Sequence, residues 1–344
     1  MYKLMHKHTL VLEVENGQII VHEKSKLPFD LRHKPEIGYA DWLNYLKRRV
    51  SSLQRTYMNQ LYKQRRLGRG HVEVINDSCA ISPVDLFWIT ADHIPHKWED
   101  LQRLKDISMD TALVTLDGIL DGKTFMKDKI DHVSILTTKG AFKKAVYKSH
   151  ILKKGDNAEY EVSAYKLGYK LGFDVAEAEL FDGDKVACKL FTNDRVSLVH
   201  ALEFLYDFDV ETYKDMFTIA LSRFKSNAKI YGQLQRLFLF NYLVTNNDLH
   251  GENFGFLYDT ETFEITGIAP AFDFNSAFEE WDNIDVFDPT LFPLLGKFAN
   301  DNIELVQNLV KIKEILATDR FLNDKQKNCV ISRAEYLMSL LENT

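Results

Sequence analysis

One spacing constrains this chain more than any other: Asp248 is followed five positions later by Asn253 and twenty-five positions later by Asp273. The surrounding stretches read Asn-Asp-Leu-His-Gly-Glu-Asn-Phe-Gly-Phe (247–256) and Ala-Phe-Asp-Phe-Asn-Ser (271–276). Side chains so far apart act together only if the fold brings them together. A hard divalent cation takes oxygen ligands, so Asp273 can offer a carboxylate and Asn253 a neutral carbonyl. Asp248 is then left to accept the proton of an attacking hydroxyl. The set points to phosphoryl transfer from a metal-bound nucleoside triphosphate.

Local context agrees. Residues 231–245 form a long, mostly apolar run of helical character that stops at Asn246-Asn247, residue types suited to caps and turns. Residues 254–258 read as a strand, 259–262 as a turn and 263–268 as the returning strand. Asp273 emerges just past that hairpin. Taken singly, an Asp after Asn-Asn is an ordinary cap; order, spacing and context together carry the functional reading.

Asp248, His250, Asn253 and Phe254 match the pattern Asp-x-His-x-x-Asn-Phe, and here the sequence resembles the HipA-like serine/threonine kinases. The resemblance runs over residues 130–280. It takes in Glu161-Val162-Ser163-Ala164 through Lys170-Leu171-Gly172-Phe173, similar to the family's first N-lobe helix, and Val186-Ala187-Cys188-Lys189-Leu190-Phe191-Thr192, similar to its hinge strand. It implies an α+β, two-lobed protein-kinase-like fold, related to the phosphoinositide kinases, with a small N-terminal extension and a helical C-lobe. It also implies ATP and Mg2+ as cofactors, Asp248 as catalytic residue, Asn253 and Asp273 as metal ligands, and adenine beside Ala187 and Lys189. The implied reaction moves the γ-phosphoryl to a protein serine or threonine. An aminoacyl-tRNA synthetase as substrate, a small antitoxin as partner, and autophosphorylation at Ser134, Thr137 or Thr138 follow from the same resemblance. His250 is expected to shape the loop by packing and hydrogen bonding. The sequence departs from the family's relatives at Leu249, where many carry a basic residue, and at Asp-Phe-Asn in place of Asp-Phe-Gly; Asn275 tolerates unusual backbone angles. A kinase of lipids or small molecules, and a catalytically silent kinase-fold regulator, stay open as alternatives.

Phosphates also need backbone amides and a lysine from a second half-site. Residues 132–137 alternate like a strand, 138–141 supply a turn around Gly140, 142–148 resume strand character and 150–155 form a third strand. Lys153 is favoured as the ATP lysine because it lies on that third strand; Lys148 is the alternative. Glu161, on the first turns of a helix at 157–171, is the expected counter-charge to the lysine. The same helix face also reads as ordinary spaced charge pairs.

Hydrophobic content of 45% and charged content of 27% over 344 residues exclude a disordered chain. We divide it into 1–125, an N-terminal subdomain with a basic helical segment, 126–194, the N-lobe, and 195–344, the helical C-lobe with helices at 195–206, 212–224, 302–316 and 324–341. The longest apolar stretch, 237–244, is far short of the ~20 residues of a membrane span, and the N-terminus lacks a signal peptide's apolar core. A cytoplasmic protein without membrane attachment is expected. Three isolated cysteines support neither a disulfide framework nor a zinc site, and His93 and His96 read as a surface turn. Trp88 and Trp98 read as core anchors. Residues 42–72 carry Lys47, Arg48, Arg49, Arg55, Lys63, Arg65, Arg66 and Arg69 without an acidic residue. That block leaves nucleic-acid contact as an alternative, beside docking onto the acidic stretch that holds Glu279, Glu280, Asp282, Asp285 and Asp288.

Overall fold

Turn chemistry builds the amino-terminal sheet. Asn16 (φ 49°) and Gly17 (φ 81°) both adopt the left-handed region, which matches the twist of a two-residue hairpin, so β2 (Thr9–Glu15) returns as β3 (Gln18–Val21). With β1 (Tyr2–His6) and β4 (Phe87–Ala91) they form an antiparallel sheet of order β3-β2-β1-β4. The computed structural model describes residues 1–49, 79–93, 96–102, 112, 116, 143–205, 215–246, 248–278 and 292–342. The predicted strand at 132–137, Gly140, Ser134, Thr137, Thr138, the basic block beyond Arg49 and the acidic stretch at 279–288 lie outside the described residues.

Contacts group the chain into two interleaved units. The first comprises Met1–Gly155, Thr192–Val199 and Tyr258–Glu264. Beside its sheet lie a single turn, α1 (Phe29–Arg32), and the amphipathic α2 (Tyr39–Arg49), which buries Trp42, Tyr45 and Leu46. The basic end of α2 turns inward. Arg48 pairs with Asp30 and Arg49 with Asp85, and Arg49 also donates to the carbonyls of Ala80 (2.7 Å) and Phe87 (2.8 Å). Two cations of the basic block are therefore used inside the fold. Trp88 donates its indole N–H to the Lys7 carbonyl at 2.8 Å and packs with Cys79 and with Leu101 of α3 (Trp98–Gln102). The segment 258–264 closes over this unit: Phe263 meets His6 at 5.0 Å, Tyr258 meets Phe29 at 5.0 Å, and Lys7 Nζ donates to Thr260 Oγ1 at 3.3 Å. An antiparallel hairpin of β5 (Lys143–Tyr147) and β6 (His150–Lys154) completes it.

The second unit comprises Asp156–Phe191, His200–Leu257 and Ile265–Thr344. It opens with α4 (Tyr160–Leu171), ended by Gly172 in the left-handed conformation (φ 87°) that a residue without Cβ adopts at least cost. The hairpin β7 (Ala178–Phe181) and β8 (Lys185–Lys189) packs on α4 through Ala158, Val162, Ala178 and Val186. β9 (Val196–His200), whose residues up to Val199 belong to the first unit, leads along the chain into α5 (Ala201–Phe204), α6 (Asp215–Arg223) and the long α7 (Ala228–Leu243). Then β10 (Gly255–Asp259) and β11 (Ile265–Ile268) lead to the helices α8 (Phe292–Asp301), α9 (Ile303–Gln307), α10 (Ile312–Ala317) and α11 (Asp324–Glu342). Helix α7 is the core: Leu234, Leu237, Phe238, Leu239, Phe240, Tyr242 and Leu243 are buried on it. Among the described residues no helix is long and apolar enough to cross a membrane.

Two predicted helices differ. The one expected at 195–206 is the strand β9 followed by a single helical turn. Asn193 Oδ1 accepts the N–H groups of Arg195 (2.8 Å) and Val196 (3.0 Å), and the Val-Ser-Leu-Val that follows favours extended backbone. The one expected at 302–316 is broken by a 3-10 segment at Asn308–Lys311, where Asn308 Nδ2 donates to the Leu171 carbonyl at 3.4 Å.

Candidate active site

The end of α7 sets up the loop that carries Asp248. Val244 closes the helix onto Phe240 (3.0 Å) and Asn246 N donates to the Asn241 carbonyl at 3.0 Å, with Thr245 between them at φ 53°. The loop then coils on itself, His250 N donating to Asp248 O (2.9 Å) and Asn253 N to His250 O (2.8 Å). It is pinned from outside by α5: Leu202 N donates to Gly251 O (2.8 Å) and Ala201 N to Phe254 O (3.0 Å). A Cβ on Gly251 would lie 2.2 Å from Met216 Sδ and 3.1 Å from Leu202 N, so a side chain here would displace the flexible Met216 thioether and crowd the Leu202 backbone. Phe254 is buried and anchors the far end.

Within this loop Asn253 Nδ2 donates to the main-chain oxygen of Asp248 at 2.7 Å and to its carboxylate Oδ2 at 2.9 Å. The other carboxylate oxygen lies 3.4 Å from His250 Nε2. His250 Nδ1 accepts the Glu252 N–H at 3.1 Å, which places the ring proton of the neutral imidazole on Nε2, facing Asp248. His250 thus bridges the loop backbone and the carboxylate. Burial pushes the Asp248 carboxyl above its ordinary range and the Asp273 charge adds to the rise, while His250 and the Asn253 hydrogen bond oppose it. Asp248 and Asp273 are therefore electrostatic neighbours, and the structure brings Asp248, Asn253 and Asp273 together in one unit.

Asp273 is placed by a short parallel bridge. Ala271 N donates to Asp174 O (2.9 Å) and Ala176 N to Ala271 O (2.9 Å). Val175 in turn lies against Gly168 of α4, where a Cβ would come within 2.3 Å of Val175 Cγ2. On the other side Phe274 is buried against Phe240 at 5.5 Å, and Phe278 N donates to Val244 O at 2.7 Å. Asp273 itself (φ 67°) adopts the left-handed region, a conformation Asp tolerates better than most, as does Phe278 (φ 59°), while Asn275 does not.

With its amide nitrogen committed to Asp248, Asn253 has its carbonyl oxygen left for a cation. An amide oxygen and a carboxylate are hard donors that suit Mg2+, which keeps water and phosphate oxygens in the rest of its shell. Among the described residues no group of three His, Cys, Asp or Glu side chains could hold a metal by itself.

The remaining candidates fall on two elements. Lys148 (φ 52°) sits in the β5–β6 turn with its ammonium over the Tyr147 ring at 5.1 Å. Lys153 lies on β6 opposite Lys144 and is only 8% exposed. Both belong to the first unit. In the second unit Glu161 is 3% exposed on the first turn of α4. Ala187 is buried on β8, and Lys189 pairs with Glu177 at 2.7 Å. Residues that sequence reasoning did not single out include Gly168, Asn241 and Gly251, and Asn246 was read only as a cap or turn residue. An Asn inside the apolar run of α7 was the available signal for Asn241.

The HipA-like C-terminal domain model matches residues 120–319. The chain belongs to the HipA-like family. Among solved structures it is similar to HipA of Shewanella oneidensis MR-1, determined with HipB and operator DNA, at 16% identity over 100% of this chain and 97% of that one, with a TM-score of 0.57. It is also similar to the Helicobacter pylori proinflammatory kinase CtkA, at 18% identity over 57% of this chain and 89% of that one, with a TM-score of 0.42. No curated protein matches. The fold is the mixed α+β, kinase-like fold of HipA, and membership of the HipA-like family supports a kinase-type function.

Proposed function

We propose that this HipA-like chain is an ATP- and Mg2+-dependent kinase that transfers the γ-phosphoryl to a serine or threonine hydroxyl of a protein. The observation that carries the reading is the double hydrogen bond from Asn253 to Asp248 in a loop that also feels the Asp273 charge. In the transfer, the substrate oxygen bonds to the γ-phosphorus as the bond from that phosphorus to the β,γ-bridging oxygen breaks, ADP leaves, and the hydroxyl proton passes to Asp248. Mg2+, when bound, neutralises phosphate charge. Asn253 and Asp273 would hold it. His250 and Asn253 orient the Asp248 carboxylate from its two oxygens. Of the two candidate lysines Lys153 is the proposed phosphate ligand, and its burial against the exposed turn position of Lys148 supports that choice.

Incubation with γ-labelled ATP and Mg2+ is expected to put label on serine or threonine of the protein itself or of an added protein. Asp248→Ala is expected to abolish it while leaving cooperative melting intact. Full incorporation by Asp248→Ala would remove the assignment, and label found only in lipid or small molecules would remove the protein substrate. A small antitoxin-like partner belongs to the same proposal, motivated by the HipB and operator DNA held by the Shewanella HipA. Affinity capture from the native host, with no small protein co-purifying, would argue against it.

A further inference from the structure

Behind the Asp248 loop, at the end of α7, two asparagine side chains are almost wholly buried: Asn241 is 2% exposed and Asn246 1%. A buried amide left without partners is costly, and an amide offers donors on one side and an acceptor on the other. Here those groups are joined in series. Asn241 Nδ2 donates to Leu237 O at 2.8 Å, Asn246 Nδ2 donates to Asn241 Oδ1 at 2.7 Å, and Asp248 N donates to Asn246 Oδ1 at 3.2 Å. Asn246 cannot flip without facing two acceptors and two donors against each other. The chain therefore has one direction, and it runs from the body of α7 to the Asp248 main chain. It also spans Thr245, a β-branched residue in the left-handed region (φ 53°), a conformation that persists only where its surroundings impose it.

A helix terminus needs no such device, since a glycine or solvent suffices to end it. We propose that Asn241 and Asn246 are positioning residues: their amide chain holds the Asp248 backbone, and through it the carboxylate, in register with the Asn253 amide. This rests on the phosphoryl-transfer reading of the site.

The test is a pair of variants. Asn246→Ala removes the link, and kcat for transfer from γ-labelled ATP is expected to fall by about 100-fold, the scale of a small misplacement of a reacting group, with the KM for ATP little changed. Asn246→Asp is the sharper probe. Its protonated carboxyl has one O–H donor for Asn241 Oδ1 and one acceptor for the Asp248 N–H, whereas its ionised form has no donor. The transfer rate of Asn246→Asp relative to wild type should therefore rise as pH falls, read at pH values above the acid limbs of both proteins. Folded Asn246→Ala with wild-type kcat, or a ratio flat with pH, overturns the proposal. Should Asn246→Ala not fold, the pH ratio decides. A wild-type protein that transfers no phosphate at all sinks the kinase reading instead. In that case hydrogen exchange at the Asp248 amide still tests the chain, with slow exchange in wild type and faster exchange in Asn246→Asp expected, and equal rates counting against it.

Discussion

At the scale of single residues, Asp248 is held at the expense of stability. Its carboxyl is raised by burial and then by the Asp273 charge. A carboxyl raised in the folded state keeps a proton that the unfolded chain has already released, so ionisation counts against the fold as pH rises above the ordinary carboxylate range. Asp248→Asn is therefore expected to melt at or above the wild-type temperature at pH 7, the difference closing below the ordinary carboxylate value of 3.8. Phosphoryl transfer by the same variant should be lost. A clearly lower Tm for Asp248→Asn at pH 7 would contradict this electrostatic picture. The two lysines separate in the same way. Lys153→Ala is expected to lower transfer by at least ~10-fold, as loss of a charged phosphate contact does, whereas Lys148→Ala, removing an exposed turn residue stacked on Tyr147, should leave it near wild type. Equal losses from both would return Lys148 to candidacy.

At the scale of elements, close approach does what hydrogen bonds alone do not. Helix α4 comes so near to Val175 that Gly168 has no room for a methyl group, and Val175 is the bridge partner of Ala271, two residues before Asp273. Gly168→Ala is expected to destabilise the protein by about 1–3 kcal/mol through overpacking and to depress transfer by shifting the Asp273 arm. Adding Val175→Ala removes the Cγ2 that meets the new methyl first and should recover part of the loss, read as a coupling in a double-mutant cycle of melting and activity. Strict additivity of the two substitutions would mean that the contact does not control the arm.

At the scale of the whole molecule, the chain weaves through its two units instead of filling them in order, and the turn of the β10–β11 hairpin belongs to the amino-terminal one. That turn packs Phe263 on His6, a ring 1% exposed whose Nε2 has no hydrogen-bond partner. Burial, together with the positive charges of Lys26 and Lys7, pushes His6 down to about 4. The unfolded chain binds the proton first, so stability should decline as pH drops from 6.5 toward 4, by up to ~3 kcal/mol in all. His6→Phe should flatten that decline between pH 7 and pH 4, measured by denaturant unfolding. An unchanged slope would place the acid sensitivity elsewhere.

Read by itself, the sequence determined what local chemistry determines. The Asn16-Gly17 hairpin, the strand–turn–strand at 143–154 and the apolar helix that ends before Asp248 all follow from turn propensities and periodicity within a few residues, while Asp248, Asn253 and Asp273 were read from their spacing and motif. It misread 195–206 because apolar spacing in a short segment suits a strand as well as a helix. Only the tertiary structure decided which lysine is buried, that Arg48 and Arg49 pair inside the fold, why Gly168 has no room for a methyl group, and that Asn241 and Asn246 join into one chain behind the acid. Each of these depends on what a distant segment places against the residue, and burial and partnership are properties of the packed molecule that no run of neighbours along the chain contains.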